Sequence, residues 1–192
     1  MVTNKCLKIL STGGIIIYPT DTVYGIGCDA TNINSILKIN KIKKREPNTP
    51  LICLMDGLEM VKNYVSNVPD ISLDYLLNSD DPTTVIFSKS KNLESYPESI
   101  AVRIPKNKIC LQLIQNLKKP ITSTSANFTG KKVPKYFEQI DKDLLDLVNY
   151  SINFDNNQQN KSSRIISIDD NSNVKIISCL LYTSDAADEV LG

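Results

Sequence analysis

The sequence predicts a single-domain α/β (α+β) fold, in which helices pack on a sheet. Short apolar runs alternate with segments whose apolar residues recur at helical spacing. The 192 residues fit one domain, and no repeat or linker interrupts them. Because no apolar run is long enough to cross a bilayer, we expect a cytoplasmic protein without membrane contact.

The first elements follow from local signals. Residues 3–12 have helical spacing and stop at two glycines, and the apolar run 15–18 predicts a buried strand that ends at Pro19. A polar loop is expected next, with Gly25 and Gly27 allowing the backbone to turn sharply. Asn32 or Asn34 can cap a second helix over about residues 34–44.

The rest of the chain continues the alternation of strands and helices. We predict strands at 50–55, 83–88, 100–104, 121–124, 150–154, 164–168 and 174–177, and helices around 57–65, 70–77, 106–117 and 144–148. Residues 155–163 form a polar loop. From Cys179 on, CLLYTSDAADEVLG departs from the Asn-, Lys- and Ile-rich composition and resembles a translated sequencing adapter. The domain is therefore expected at 1–178, with 179–192 a non-native tail and the native C-terminus absent.

Composition excludes several enzyme classes. The chain has no histidine, which excludes Ser-His-Asp and Cys-His nucleophiles and histidine zinc sites. Its five cysteines are scattered, with no C-x-x-C pair, so neither a disulfide framework nor a cysteine zinc site is expected. The net charge of +1 gives no overall drive toward nucleic acid.

Arginine is rare in this chain. There are 19 lysines and only three arginines, at positions 45, 103 and 164. Lysine serves wherever positive charge alone is needed, so the arginines are expected where a planar group must hold a carboxylate or phosphate at two points. Chance placement is the alternative.

The stretch GIIIYPTDTVYGIGCDA, residues 14–30, is the most informative part of the sequence. Hydroxyl and acidic side chains, Thr20, Asp21, Thr22 and Tyr24, follow directly after the first strand. Polar loops on strand ends are the usual place for ligand contacts in α/β folds. Turn chemistry without a ligand is the alternative interpretation.

A basic motif ends the second helix. Lys43 and Arg45 leave the helix before the extended segment EPNTPL, so two cations can address two anionic groups on one ligand. The alternative is a solvated helix terminus, where basic residues favour the helix dipole.

Two further motifs lie on strands. Arg103 in IAVRIP is flanked by apolar residues and needs an anion or an acidic side chain if it is buried. In TSTSANFTG, residues 122–130, hydroxyls on alternate residues project to one side, and Asn127 adds a donor and an acceptor. Such a set can hold phosphate, ribose or amino-acid groups, although a serine- and threonine-rich turn is the alternative.

Taken in this order over roughly residues 5–178, the motifs resemble the YrdC family, the threonylcarbamoyl-AMP synthases. The resemblance rests on YPTDTVYGIGCDA, on Lys43-x-Arg45, on Arg103 and on Ser125-x-Asn127. It implies a twisted open mixed sheet with a concave central cleft. It also implies formation of threonylcarbamoyl-AMP and pyrophosphate from L-threonine, bicarbonate and ATP, with Mg²⁺ as cofactor. The product would pass to a tRNA threonylcarbamoyl transferase that modifies the adenosine beside the anticodon.

The resemblance also implies roles for individual residues. Lys43 and Arg45 would be catalytic. The residues that would hold threonine are Thr22, Arg103, Ser123 and Ser163. Those that would hold ATP are Arg45, Thr49, Ser99, Ser125 and Asn127. Thr20 and Tyr24 would shape the pocket. No protein side chain is expected to ligate a metal, and Mg²⁺ would enter with ATP.

Three departures from the family pattern keep alternatives open. Asp81 stands where glycine is expected, Arg164 stands where threonine is expected, and the final strand ends Ile176-Ile177-Ser178 instead of Ile-Arg-x-Gly. A catalytically weak paralogue is one alternative, and an RNA-binding module that uses basic residues without ATP is another. The sequence leaves direct RNA contact and the oligomeric state open.

Overall fold

The computed structural model describes residues 2–96, 98–154 and 161–178. Within these ranges nine strands form one twisted mixed sheet, in the order β7-β1-β2-β6-β3-β5-β4-β8-β9. The predicted tail 179–192 and most of the predicted loop 155–163 lie outside the described residues. No helix in the described ranges has both the length and the apolar character needed to cross a bilayer.

The elements follow the predicted order. The first half comprises α1 Val2–Ser11, β1 Ile16–Pro19, β2 Tyr24–Gly27, α2 Ile33–Lys43, β3 Ile52–Leu54, α3 Leu58–Tyr64 and α4 Ile71–Leu73, which continues into a π-helical turn at Asp74–Asn78. The second half comprises β4 Thr83–Phe87, β5 Ile100–Arg103, α5 Lys108–Leu117, β6 Ile121–Ser125, a 3₁₀ turn at Phe137–Gln139, α6 Lys142–Asp146, β7 Tyr150–Ser151, β8 Arg164–Ile168 and β9 Val174–Ser178. The α/β prediction is therefore confirmed.

Strand β6 joins the two parts of the sheet. It pairs antiparallel with β2 on one side, where Gly25 faces Ser125, and antiparallel with β3 on the other, where Ile52 faces Ser123. Beyond β3, strand β5 runs parallel to it and β4 returns antiparallel. The two polar segments that the sequence singled out, after β1 and along β6, are thus carried on adjacent strands.

Both faces of the sheet are covered. In β1, Ile17 belongs to a large apolar core that also includes Ile36 and Ile39 of α2, while Ile16 belongs to a second core with Cys6 of α1 and Leu113 of α5. Successive strand residues point to opposite faces, so a strand covered on both faces needs continuous apolar residues. This explains the run IIIY at residues 15–18.

Helix α2 begins at a side-chain cap and ends at a left-handed backbone turn. Asn32, one of the two predicted caps, accepts a hydrogen bond from the Ser35 amide at its Oδ1 over 3.1 Å. At the other end Lys44 adopts the left-handed conformation with φ 55°, and its amide donates to the carbonyls of Asn40 and Lys41. The helix therefore stops at Lys43, and the chain turns toward Arg45.

The prediction of a loop with sharp turns at Gly25 and Gly27 was wrong. Both glycines lie in β2, which the sequence did not suggest because glycine is depleted in strands. They are needed for close approach to β6: a Cβ at Gly27 would lie 1.8 Å from the Thr122 carbonyl oxygen, and one at Gly25 would lie 2.8 Å from Ser123 Oγ. Glycine at these two positions therefore allows β2 and β6 to lie close to each other.

Replacing Gly27 by alanine should lower the free energy of unfolding by about 2–3 kcal/mol, because the clash is with backbone that cannot rotate away. Urea unfolding would measure the change. Gly57→Ala is the matched control, since a Cβ at that position would have no atom within 4 Å. We expect the control to cost less than about 1 kcal/mol, as for a modest change of helix cap. Equal losses for the two variants would contradict the close-approach explanation.

Candidate active site

The turn between β1 and β2 is a buried cluster of hydroxyl groups. Thr20 Oγ1 lies 2.8 Å from Thr22 Oγ1, donates to the Val23 carbonyl over 2.7 Å and accepts from the Thr22 amide over 3.0 Å. Thr20 and Thr22 are 1% and 3% exposed. The hydrogen bonds hold the turn in one conformation, so the side chains that it presents are positioned before any ligand arrives.

Arg103, the last residue of β5, reaches this turn. Its Nη1 donates to Thr22 Oγ1 over 3.0 Å, and its Nη2 lies 3.7 Å from Asp21 Oδ1. The residue is 4% exposed, and within the described residues its Nε makes no hydrogen bond. The sequence required an anion or an acidic side chain near this arginine, and the structure supplies Asp21. A guanidinium with unused donors can still hold a second carboxylate.

Lys43 ends α2 and is buried at the end of β6. Its Nζ donates to the Ser125 carbonyl over 2.8 Å, and lies 3.3 Å from both Ser125 Oγ and Asn127 Oδ1. Thr129 Oγ1 in turn donates to the Lys43 carbonyl over 2.5 Å. Lys43 has no exposed surface, so the alternative of a solvated helix terminus is wrong for this residue. Lys44 beside it is exposed.

Ser163 and Arg164 have different surroundings. Ser163 Oγ lies 2.8 Å from Oγ1 of Thr84, a fully buried residue that the sequence reasoning did not select. Thr84 directly precedes Val85, which pairs with Val102, so Thr84 and Arg103 occupy neighbouring positions on adjacent strands. The segment DPTT, residues 81–84, departs from the family pattern at Asp81 but matches it at Thr84, and this match is the signal that could have found the residue.

Arg164 points away from these residues. Its Nη2 donates to Ser79 Oγ over 3.3 Å and to Thr83 Oγ1 over 3.4 Å, and its guanidinium lies 5.6 Å from the Tyr75 ring centroid. These contacts hold the segment that precedes β4 against the start of β8. The expectation of a two-point contact with an anion therefore finds no support among the described contacts of Arg164.

Gly25 lies close to both parts of the site, because it pairs with Ser125 and packs near Thr20. A Cβ at this position would lie 2.8 Å from Ser123 Oγ and 3.3 Å from the Thr20 methyl group. Ser123 is therefore next to the hairpin turn, while Ser125, two residues on, contacts Lys43. The structure thus brings Thr20, Thr22, Arg103, Ser123, Ser125, Asn127 and Lys43 into one connected region around β2 and β6.

Four further predicted residues have surroundings of their own. Tyr24 is buried, donates to the Phe154 carbonyl over 2.9 Å and packs edge-on against Phe137. Thr49 is 9% exposed, and its carbonyl accepts from Asn40 Nδ2 over 2.9 Å. Arg45 and Ser99 are half-buried, and Ser99 directly precedes β5 at the end opposite Arg103. No side-chain hydrogen bond of Ser99 is found in the part of the chain that is described.

The titratable groups behind the site are kept neutral. Burial raises the pKa of Tyr18 well above its usual value, and the Tyr18 hydroxyl donates to the Thr122 carbonyl over 2.7 Å. Burial also raises the pKa of Cys28 and Cys53 to about 12, and it raises the pKa of Cys110 as well. These groups carry no charge near neutral pH, so thiolate chemistry is disfavoured and the site depends on lysine, arginine, hydroxyl and amide groups.

Comparison with known proteins identifies the family. Residues 8–178 match the Sua5/YciO/YrdC family, which is described as "Telomere recombination". The chain belongs to this family. The resemblance found from the sequence motifs is therefore confirmed.

Relatives cover most of the chain. A Methanocaldococcus jannaschii protein is 36% identical over 173 residues, which are 88% of this chain and 81% of that protein. A Vibrio campbellii protein named threonylcarbamoyl-AMP synthase is 31% identical over 169 residues, 84% of this chain and 91% of its own length.

Solved structures of this family have the same fold. Pyrococcus abyssi Sua5, complexed with L-threonine, superimposes with a TM-score of 0.78 at 23% identity over 86% of this chain, which spans 50% of that protein. Escherichia coli YciO gives a TM-score of 0.77 at 23% identity over 92% of this chain and 87% of its own. The single twisted sheet with packed helices is thus the fold of this family.

The contact between Thr84 and Ser163 can be measured by a double-mutant cycle. Thr84→Val, Ser163→Ala and the double variant should show a coupling of about 1 kcal/mol in urea unfolding, because either single change leaves a buried hydroxyl without its partner. Additive losses would contradict the hydrogen bond.

Proposed function

We propose that this chain is a threonylcarbamoyl-AMP synthase, which forms threonylcarbamoyl-AMP and pyrophosphate from L-threonine, bicarbonate and ATP. The observation that carries the proposal is the pair of buried cations: Arg103 donates to Thr22 in the β1-β2 turn, and Lys43 donates to Ser125, which pairs with Gly25 of β2. Buried cations of this kind recruit anions, and the reaction has both a carboxylate and a triphosphate to bind. The names of the relatives support the same activity.

Threonine is assigned to the Arg103 side of the region. The guanidinium pairs with the α-carboxylate, and Thr22, Ser123 and Ser163 supply hydroxyl partners for the remaining polar groups. Thr20 and Tyr24 shape the wall, since Thr20 holds Thr22 by a hydrogen bond and Tyr24 is fixed to Phe154. These groups are hydroxyls and a guanidinium, which suit binding through hydrogen bonds and charge.

ATP is assigned to the Lys43 side. Lys43 and Arg45 stabilise charge on the phosphates, and Thr49, Ser99, Ser125 and Asn127 complete the nucleotide site. The threonine nitrogen, after losing a proton to solvent, forms a carbamate with bicarbonate, and water leaves. A carbamate oxygen then attacks the α-phosphorus, the bond from this phosphorus to the oxygen that bridges to the β-phosphorus breaks, and pyrophosphate leaves. Positioning and charge stabilisation can supply the rate enhancement for such a transfer without a histidine.

Mg²⁺ is proposed to enter with ATP. The described residues include no group of three or more cysteine or acidic side chains placed to hold a metal. The hydroxyls and amide near Lys43 are neutral oxygen donors, which fit a magnesium ion that is held mainly by phosphate oxygens and water. The ion would neutralise part of the phosphate charge.

The proposed product is a reactive mixed anhydride that serves tRNA. We assign this product to a tRNA threonylcarbamoyl transferase, which uses it to modify the adenosine beside the anticodon. A cytoplasmic location is supported by the four described cysteines, which are free, buried thiols of the kind that a reducing compartment maintains. The names of the relatives favour the synthase over the alternatives of a weak paralogue or an RNA-binding module.

Pyrophosphate release tests the proposed function. With ATP and Mg²⁺ present, release should require L-threonine and bicarbonate together, and omission of either should return the rate to background. Mass spectrometry of the products should then find threonylcarbamoyl-AMP. Release that is independent of threonine, or salt-dependent RNA binding without nucleotide binding, would contradict the proposal.

Arg45→Ala should lower adenylate formation by at least tenfold, about 1.4 kcal/mol of transition-state stabilisation, because the cation faces charge that develops on the phosphates. Lys44→Ala is the matched control, since Lys44 is the exposed neighbour in the left-handed position. We expect the control to stay within about twofold of the parent. Equal effects of the two substitutions would show a loss of general basic charge instead of a positioned arginine.

A further inference from the structure

Asp21 is an acidic residue in the turn that the proposed roles leave unused. Its carboxylate is 14% exposed, and Oδ1 lies 3.7 Å from Arg103 Nη2. Oδ1 is sealed from solvent and makes no hydrogen bond within the described residues. The exposed part of the side chain therefore lies elsewhere, and the described residues provide no hydrogen-bond donor to Oδ2 either.

A partly buried carboxylate without hydrogen-bond donors is costly, and the cost is removed when a ligand supplies one. The buried Asp29 differs in this respect from Asp21. Asp29, which follows the same strand pair, accepts from the Thr31 amide and hydroxyl and lies 2.9 Å from Lys119 Nζ. Asp21 has only the longer ion pair with Arg103, and it occupies the centre of the TDT turn.

We propose that Asp21 binds the α-amino group of the amino-acid substrate and so selects amino acids against other hydroxy carboxylic acids. The inference rests on the proposed function and adds to it a residue that determines specificity. The carboxylate and the ammonium group of an amino acid are attached to the same carbon, so their partners must lie side by side. Arg103 and Asp21 are the neighbouring opposite charges that meet this requirement.

The contact is compatible with carbamoylation. A carboxylate accepts hydrogen bonds from an ammonium group and from a neutral amine alike, so Asp21 can hold the nitrogen before and after it loses the proton that blocks attack on carbon. When the substrate carboxylate approaches Arg103, it brings a second negative charge to the guanidinium. The ammonium group then compensates the charge of Asp21, and the four groups form a neutral set.

Calorimetry with two ligands tests the proposal. The ligands are L-threonine and the 2,3-dihydroxybutanoate of matched stereochemistry, in which a hydroxyl replaces the amino group. Asp21→Asn should weaken L-threonine binding by about tenfold or more, the loss expected for a charge-assisted hydrogen bond. It should change the affinity for the dihydroxy acid by less than about twofold. Asp21→Glu should keep part of the preference for threonine.

Asp29→Asn is the control for the removal of a buried carboxylate. An unchanged affinity for ATP shows that each variant is folded. Equal weakening of both ligands by Asp21→Asn would show that Asp21 only positions Arg103, and would overturn the proposal. Undiminished threonine binding would overturn it as well. If the parent protein binds ATP but not threonine, the proposed function itself is wrong. This result is distinct from a difference between the parent and the Asp21 variants, which tests only the role of Asp21.

Discussion

The contact between β2 and β6 is the constraint on which the site depends. Glycine at position 27 lets the strand lie against the Thr122 carbonyl, where any side chain would clash. Because β6 also pairs with β3, this contact joins the β1-β2 hairpin to the rest of the sheet. The turn at Thr20 and Thr22 is thereby held within reach of Arg103, three strands away in the sheet order.

Two buried cations define the chemistry that this arrangement can support. Lys43 is surrounded by oxygens of Ser125 and Asn127, and Arg103 by Thr22 and Asp21. Burial of charge opposes folding, and an anionic ligand that reaches these cations offsets part of that cost. The residues that lower the stability of the free protein are thus the ones expected to bind substrate. Functional sites commonly carry such a loss of stability.

Much of this was predictable from the sequence. The continuous apolar run of β1, the Asn32 cap of α2 and the need of Arg103 for a partner all follow from local chemistry, and the order of motifs indicated the family. Strand β2 was missed because Tyr-Gly-Ile-Gly contradicts strand propensity, and only the position of Thr122 explains the glycines. The burial of Lys43 and the partnership of Thr84 with Ser163 arise from residues 79 or more positions apart, which local patterns do not encode.

The most direct test of the account is a crystal structure of this chain with L-threonine and a non-hydrolysable ATP analogue. The account predicts the threonine carboxylate on the Arg103 guanidinium, the amino group on Asp21 and the triphosphate at Lys43 and Arg45. Threonine bound away from the β1-β2 turn, with Arg103 still engaged only by Thr22 and Asp21, would contradict it.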